Sequence, residues 1–136
     1  MLVMADGCFD PVHEGHIKYL FAARQLGTRL VVNVARDPEI WEKRPQLGPF
    51  LPEDVRVALI AALKPVDEVI LLPTAQALST LRPDIYAKGN DWADRFKGDE
   101  RAICEEFGIQ VRFLDCVCNS STRILEDFVG RLPARP

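Results

Sequence analysis

The two histidines are the residues whose type and spacing point most directly to chemistry. His13 and His16 lie three positions apart, and the 136-residue chain contains no other histidine. At the start of a helix this spacing places both imidazoles on one face of the first turn, beside the free N–H groups and the positive end of the helix. Such donors suit the charge that develops on a phosphate, and Gly15 lets a ligand approach the backbone closely. The alternative, a capping histidine beside a surface histidine, is less favoured because the two lie together after the first strand.

The elements that must position this pair alternate along the chain between strands and helices. Short apolar runs predict buried strands, and apolar residues three and four positions apart predict helices. The first helix has Ile17, Leu20 and Phe21 at this spacing. The predicted strands are 2–5, 30–35, 68–72, 84–87 and 109–114, and the later predicted helices are 53–63 (with Val55, Leu59, Ile60 and Leu63 on one face), 76–81, 99–107 and 121–131. Residues 36–52, with four prolines, are predicted to form a long functional loop.

This order predicts an α/β fold: a Rossmann-like, doubly wound, five-stranded parallel sheet with helices on both faces. Ligands of such sheets bind beyond the carboxyl ends of the strands. The stretches 6–16, 36 onward, 88–92 and 115–122 follow those ends and hold nearly all the residues that suggest chemistry. This coincidence is the first argument for a ligand site at that edge.

Length and charge set wider bounds. We expect residues 1–136 to form a single domain with no fused kinase, and a cytoplasmic location, since no apolar run approaches a membrane span. The net charge of −3 argues against broad binding to nucleic acid or membrane. Reduced cysteines are expected rather than a metal knuckle, because Cys116 and Cys118 are separated by one residue.

Three motifs resemble one family. The run from Gly7 to His16, Gly-Cys-Phe-Asp-Pro-Val-His-Glu-Gly-His, is similar to the His-x-Gly-His signature of the cytidylyltransferase-like nucleotidyltransferases. The Ser/Thr-rich run 120–124 resembles the second element of that family, and Lys-Gly-Asn-Asp-Trp at 88–92 resembles its segment after strand four. Within the family, the chain is similar to glycerol-3-phosphate cytidylyltransferases and to heptose-phosphate nucleotidyltransferase domains.

The resemblance implies a reaction in which a phosphorylated acceptor attacks the α-phosphorus of a nucleoside triphosphate and pyrophosphate leaves. His13, His16, Lys43 and Arg56 are the implied catalytic residues, and an arginine suits a polyphosphate because its guanidinium forks across two oxygens. The implied nucleotide-binding residues are Gly7, Cys8, Phe9, Asp10, Gly15, Lys88, Gly89, Asp91, Trp92, Ser120, Ser121 and Thr122. Asp10, Lys43 and Arg44 are the implied substrate-binding residues.

Each assignment has a plainer alternative. Asp10, a candidate metal ligand, could instead cap the helix entry. Lys43 and Arg44 could be solvated loop cations, and Trp92 could simply pack its loop. Ser120 and its neighbours could serve as an ordinary helix cap. The cations are expected to make the site positive despite the acidic chain.

The nucleotide and the acceptor remain open at this point. We favour a Mg²⁺-dependent enzyme that transfers CMP from CTP to a phosphorylated sugar, polyol or related alcohol, with the metal neutralising the leaving group. The alternative is an adenylyltransferase acting with ATP on heptose phosphate, FMN or another phosphorylated metabolite. In another class, the chain would be a non-catalytic nucleotide-binding module. The run 115–119 departs from the glycerol-phosphate pattern because it begins with Asp115 where those enzymes carry an arginine. The resemblance also implies a homodimer, with no nucleic-acid or membrane partner.

Overall fold

A parallel sheet with helices on both faces forms the framework of the protein. The computed structural model describes residues 1–115 and 120–134. The strands are β1 (Leu2–Gly7), β2 (Arg29–Val34), β3 (Glu68–Ile70), β4 (Ile85–Gly89) and β5 (Gln110–Leu114). The helices are α1 (Glu14–Arg24), α2 (Asp37–Lys43), α3 (Glu53–Ala61), α4 (Thr74–Leu81), α5 (Asp99–Phe107) and α6 (Ser121–Gly130), and a 3-10 turn spans Asn90–Trp92.

All strand pairs are parallel, in the order β3-β2-β1-β4-β5. The strand order reverses at β1, which lies in the centre between β2 and β4. A crevice for ligands opens at such a reversal, beyond the carboxyl ends of the two strands. The predicted Rossmann-like, doubly wound α/β fold is confirmed, and its crevice lies between the ends of β1 and β4.

The alternation of side chains along the strands separates two apolar cores. Ala5 and Ala87 face the layer that contains Leu20 of α1 and Ile60 of α3. Met4 and Tyr86 face the opposite layer, formed by α4 and α5. Polar residues at the ends of the same strands therefore also lie on two different faces.

The segment predicted as a loop contains the helix α2, so that prediction is wrong in part. Pro38 lies in the first turn of the helix, where its missing N–H interrupts no helical hydrogen bond. Glu39 accepts hydrogen bonds from the backbone and side chain of Arg36, which secures the helix start. Gly48 then packs against Trp41 so closely that a Cβ would lie 2.4 Å from the ring. The prolines thus delimit a short helix and its return loop.

The predicted apolar faces of two helices are also wrong in part. Leu20 of α1 and Ile60 of α3 are buried as predicted, whereas four of their supposed neighbours are exposed. Those exposed residues are Ile17, Phe21, Val55 and Leu59. In α1 the buried face turns toward Tyr19, because the Tyr19 hydroxyl donates to the carbonyl of Ala87 in β4.

Strand β3 is shorter than predicted and ends at Ile70. The backbone N–H and carbonyl of Leu72 bond instead to the side-chain amide of Asn33 in β2. The side-chain amide of Asn33 therefore satisfies the backbone groups of Leu72, which lie beyond the end of β3.

Two predictions concern features beyond the sheet. Within the described ranges Cys8 and Cys104 are free thiols, whereas Cys116 and Cys118 lie outside them, as does the rest of 116–119. Among the helices in 1–115 and 120–134, none combines the length and apolarity needed to cross a bilayer.

Candidate active site

The loop between β1 and α1 brings the two histidines together. Phe9 turns the chain with a positive φ of 52°, and its ring supports His16 edge-on with 5.0 Å between centroids. That ring also lies under Gly7, where a Cβ would be only 3.0 Å from it. His13 caps α1, and the two imidazoles stack at 3.7 Å. The structure therefore places the histidine pair at the start of α1, as the spacing predicts.

Hydrogen bonds define how each imidazole is oriented. Nδ1 of His13 accepts from the backbone N–H of Gly15 at 3.0 Å, and Nδ1 of His16 accepts from the backbone N–H of His13 at 3.2 Å. A neutral imidazole that accepts at Nδ1 carries its proton on Nε2. Both rings can therefore offer an Nε2–H donor to a ligand.

The surroundings keep the pair neutral. Burial, and then the adjacent His13, together lower the pKa of His16 to about 3. Burial also lowers the pKa of His13, although Glu14 opposes the shift. Two neutral imidazoles thus lie at a helix N-terminus, a position that favours the binding of an anion.

Asp10 is a structural centre of the loop rather than a free carboxylate. Its side chain is fully buried and accepts from the guanidinium of Arg44 at 3.0 Å. It also accepts from the backbone N–H groups of Phe50 and Leu51, both at 2.7 Å. These contacts fasten the α2–α3 connection to the histidine loop, and they occupy both Asp10 and Arg44 in this arrangement.

Arg56, like Asp10, is a buried charged residue that holds loops together. It is fully buried on α3 and donates to the carbonyls of Cys8, Ala35 and Leu51. Its remaining partner is the carboxylate of Asp37, at 2.8 Å. The guanidinium therefore ties the ends of β1 and β2 to the loop before α3, and these protein partners engage all three of its nitrogens.

Lys43 reaches the ligand edge. Its ammonium lies 3.3 Å from the thiol sulfur of Cys8 and 5.8 Å from the centre of the Trp92 ring. Helix α2 makes this approach possible, because Lys43 is its last residue. Lys43, Cys8 and Trp92, predicted from separate motifs, are thus neighbours.

A second polar cluster lies at the ends of β1 and β4, and sequence reasoning missed most of it. Asp6 accepts from the Lys88 ammonium at 3.1 Å, the Tyr86 hydroxyl at 2.7 Å and the Thr74 hydroxyl at 3.2 Å. The Lys88 ammonium also lies 4.2 Å from the centre of the Trp92 ring. Tyr86 and Lys88 are two residues apart on β4 and so share one face of the sheet. This spacing was the sequence signal that could have predicted the cluster.

Glu100 of α5 belongs to the same electrostatic environment. Burial raises the pKa of its carboxyl, and the negative charge of Asp6 raises it further, against the opposing effect of Lys88 and Lys43. A strong rise in the pKa of Tyr86, from burial and then from Asp6, keeps that hydroxyl protonated as a donor.

The start of α6 closes the site from the other end of the chain. Ser120 caps the helix by accepting from the N–H of Arg123, and the hydroxyl of Ser121 donates to the carbonyl of Pro11 at 2.8 Å. Thr122 is exposed in the first turn. Elements 110 residues apart are thus joined beside the histidine pair.

The remaining predicted residues surround Trp92. Gly89 ends β4, and Asp91 pairs with Arg95 across one turn at 3.4 Å. Arg95 also lies over the Trp92 ring, 4.4 Å from its centre. Trp92 is therefore contacted by cations and lines the edge, while Asp91 is held by a surface ion pair.

Charge at this edge is more balanced than the sequence predicts. Arg44, Arg56 and Lys88 are each paired with an aspartate, namely Asp10, Asp37 and Asp6. Three of the four predicted cations are thus neutralised. Neutral N–H donors, such as the two imidazoles, therefore contribute more to anion binding than the sequence predicts.

The donor set does not form a protein cage for a metal. Asp10, the candidate ligand, has its oxygens taken by three protein donors. Across residues 1–115 and 120–134, no three histidine, cysteine or carboxylate side chains are grouped as metal ligands. Since the candidate ligand does not fit the role, we derive no catalytic step through a metal.

Comparison with known proteins agrees with the fold and the motifs. Residues 4–127 match the family model described as cytidylyltransferase-like. The FAD synthase of Archaeoglobus profundus is 37% identical, over 98% of this chain and 89% of that protein. The bifunctional protein HldE of Syntrophotalea carbinolica is 35% identical over 96% of this chain, but the chain spans only 27% of HldE.

A solved structure supports the same assignment. The lipopolysaccharide core biosynthesis protein of Thermoplasma volcanium superposes with a TM-score of 0.67 at 35% identity, covering 88% of this chain and 98% of that one. The match to the family model extends from β1 through most of α6 and includes the histidine loop, Lys88–Trp92 and the start of α6. The chain belongs to the cytidylyltransferase-like family.

Proposed function

We propose that this protein is a nucleotidyltransferase that joins the nucleoside monophosphate part of a nucleoside triphosphate to a phosphorylated acceptor. The observation that carries the proposal is the stacked pair of His13 and His16 at the N-terminus of α1, whose Nδ1 atoms accept backbone N–H groups and so leave Nε2 of each ring to donate. Membership in the cytidylyltransferase-like family supports it.

In the proposed reaction, an oxygen of the acceptor's phosphoryl group attacks the α-phosphorus. A new P–O bond forms, the bond between the α-phosphorus and its bridging oxygen breaks, and pyrophosphate leaves. The acceptor phosphate is already ionised near neutral pH, so no general base is needed. The work of the protein is to position both reactants and to stabilise the developing charge.

The histidine loop supplies that stabilisation. His13 and His16 donate to oxygens of the triphosphate, and an approaching anion strengthens these bonds because the imidazoles are partly buried. The backbone N–H groups at the start of α6 add donors beside them, and the bond from Ser121 to Pro11 holds α6 in that position. Lys43 contributes a positive charge from the end of α2.

ATP is the proposed nucleotide. The sequence motifs favour CTP, with ATP as the alternative, and similarity to an FAD synthase supports the alternative. FAD contains an adenylyl group, so its synthesis requires an adenine nucleotide. Candidate acceptors are FMN and a heptose phosphate, and CTP remains the second choice on the family description.

The test is pyrophosphate release from ATP or CTP with FMN, heptose 1-phosphate and a panel of polyol phosphates. We expect release with ATP and one acceptor, together with a higher melting temperature in ATP than in CTP, because a ligand that binds the native state stabilises it. Preferential stabilisation by CTP would overturn the choice of nucleotide. Nucleotide binding without turnover on any acceptor would instead support the non-catalytic module.

A homodimer and a requirement for Mg²⁺ are further parts of this proposal, the ion being required to neutralise the triphosphate and not held by Asp10. Light scattering at several protein concentrations measures the assembly. Activity with Mg²⁺, with EDTA and after Mg²⁺ is restored measures the metal requirement.

A further inference from the structure

The two polar clusters at the ligand edge lie on opposite faces of the sheet. The histidine pair begins α1, which packs with Ala5 and Ala87 on one face. Tyr86 belongs to the core on the other face, and Lys88, two residues later on β4, shares that face. A bound triphosphate at α1 therefore leaves the Lys88 side of the crevice for a different group.

Lys88 is held in a fixed position there. Its residue surface is only 6% exposed, and its ammonium donates to Oδ1 of Asp6. The other oxygen of Asp6 accepts from the hydroxyls of Tyr86 and Thr74, so the carboxylate cannot turn away. A buried ammonium is costly unless it is paired, and this network supplies the pairing that keeps Lys88 at the site.

The ammonium still has binding capacity. A lysine ammonium has three N–H donors, and Asp6 takes one of them. Trp92 lies beside it at 4.2 Å, and Lys43 approaches the same indole from α2 at 5.8 Å. Two ammonium groups thus lie around one aromatic ring, with the carboxylates of Asp6 and Glu100 in the same environment, and the free N–H donors of Lys88 face an apolar wall.

Resting on the proposed function, we propose that Lys88, fixed by Asp6, binds the phosphoryl group of the acceptor, a phosphate monoester, against Trp92. Asp6, Tyr86 and Thr74 are positioning residues for Lys88. The triphosphate lies on the α1 side and the acceptor on the α4–α5 side, so the two phosphates meet over the end of β1. This arrangement assigns Lys88 to acceptor binding and the histidine pair to nucleotide binding, with Lys43 near both.

The first experiment compares Lys88→Met with Lys97→Met, a matched change of an exposed lysine in the segment that follows. We expect Lys88→Met to raise the KM for the acceptor about 10- to 100-fold, the loss of one charge-assisted contact. The KM for ATP should stay within about threefold, as should both constants in Lys97→Met. A rise confined to the KM for ATP, or no rise in either, would overturn the proposal.

Removal of Lys88 leaves Asp6 as an unpaired charge, so a second variant protects the test against misfolding. Asp6→Asn combined with Lys88→Met removes both charges, and circular dichroism and thermal melting check its fold. The double variant should show the same selective rise in acceptor KM, whereas Lys88→Arg should recover part of the affinity. An acceptor KM equal to that of the wild type in the folded double variant would contradict the role of Lys88.

A binding experiment gives a readout that does not require turnover. The indole N–H signal of Trp92 is followed by NMR while inorganic phosphate or mannose 1-phosphate is added to protein saturated with α,β-methylene-ATP, and Trp41 serves as the internal control. We expect the Trp92 signal to shift in the wild type and in Lys97→Met, and to remain still in Lys88→Met. The same titration is repeated without the ATP analogue. A Trp92 shift that occurs only in the absence of the analogue would place Lys88 in the triphosphate site and refute the proposal. If no acceptor supports turnover, a retained Trp92 shift shows that the proposed function has failed while the phosphate site stands.

Discussion

Asp10→Asn removes a buried charge at nearly unchanged side-chain shape. The carboxylate is fully buried and accepts from Arg44 and from two backbone N–H groups, those of Phe50 and Leu51. Asparagine has one acceptor oxygen and an NH₂ group. At least one present donor must then face another donor, and the charge that pairs with Arg44 is lost.

The magnitude follows from these contacts. Breaking a buried ion pair costs about 3–5 kcal/mol, and a single hydrogen bond to a charged group is worth about 1.5–3 kcal/mol. We therefore expect the free energy of unfolding to fall by about 3–5 kcal/mol. This is a large part of the roughly 5–15 kcal/mol that a domain possesses, so the variant should remain folded but melt earlier.

Urea denaturation followed by far-UV circular dichroism measures the change. Asp94→Asn is the control, since Asp94 is exposed and should change stability by no more than about 0.5 kcal/mol. A double-mutant cycle with Arg44→Met isolates the ion pair, and the two substitutions should be far from additive. A loss below about 1 kcal/mol, or simple additivity, would refute the assignment of Asp10 as the anchor of the α2–α3 connection.

The remaining predictions concern the histidine pair and its supports. The folded pKa of His16, about 3, lies below its unfolded value of 6.5, so the unfolded state binds the extra proton and stability is lost as the pH falls from 6.5 toward 3. The free energy of unfolding, measured in urea from pH 7.5 to 5, should therefore fall more steeply in the wild type than in His16→Gln, with an excess loss of no more than about 2 kcal/mol at pH 5. Parallel pH dependences would contradict the lowered pKa. Tyr19→Phe should lower the free energy of unfolding by about 1–3 kcal/mol in urea titrations, because the carbonyl of Ala87 loses a buried donor; an unchanged midpoint would show that another group replaces the hydroxyl. Ser121→Ala should lower the free energy of unfolding by about 0.5–1.5 kcal/mol. It should also weaken ATP binding measured by calorimetry, and wild-type affinity would show that the start of α6 is not part of the nucleotide site.

Local pattern was enough to predict the sheet and the position of its ligand edge. Apolar runs mark the strands, and the alternation with helices requires parallel pairing, which the structure confirms. It did not predict α2, because a proline in the first turn of a helix looks the same in sequence as a proline that prevents one. It also misjudged Ile17 and Phe21, since the polar contact of Tyr19 with β4 sets the rotation of α1.

The site shows the same limit in its polar groups. Residue type and spacing predict that the two histidines lie together at the start of α1, whereas the stacking of their rings across the extended N-cap residue His13 is seen only in the structure. Spacing cannot show that Asp10 and Arg56 are buried inside the loops that they hold, nor that Asp6 lies beside Lys88, 82 residues away. Those relations arise from chain crossings, and only the folded arrangement of β1, β4 and the α2–α3 connection brings the partners together.

The most direct test of nucleotidyl transfer follows the label of the nucleotide. Wild-type protein is incubated with the accepted phosphate monoester and with either [α-³²P]ATP or [γ-³²P]ATP, beside His16→Ala. The proposed reaction transfers the α label to the acceptor and releases the γ label as pyrophosphate, and His16→Ala slows the transfer by roughly 100-fold or more while remaining folded. Transfer of the γ label to the acceptor, or full activity in His16→Ala, would contradict the account.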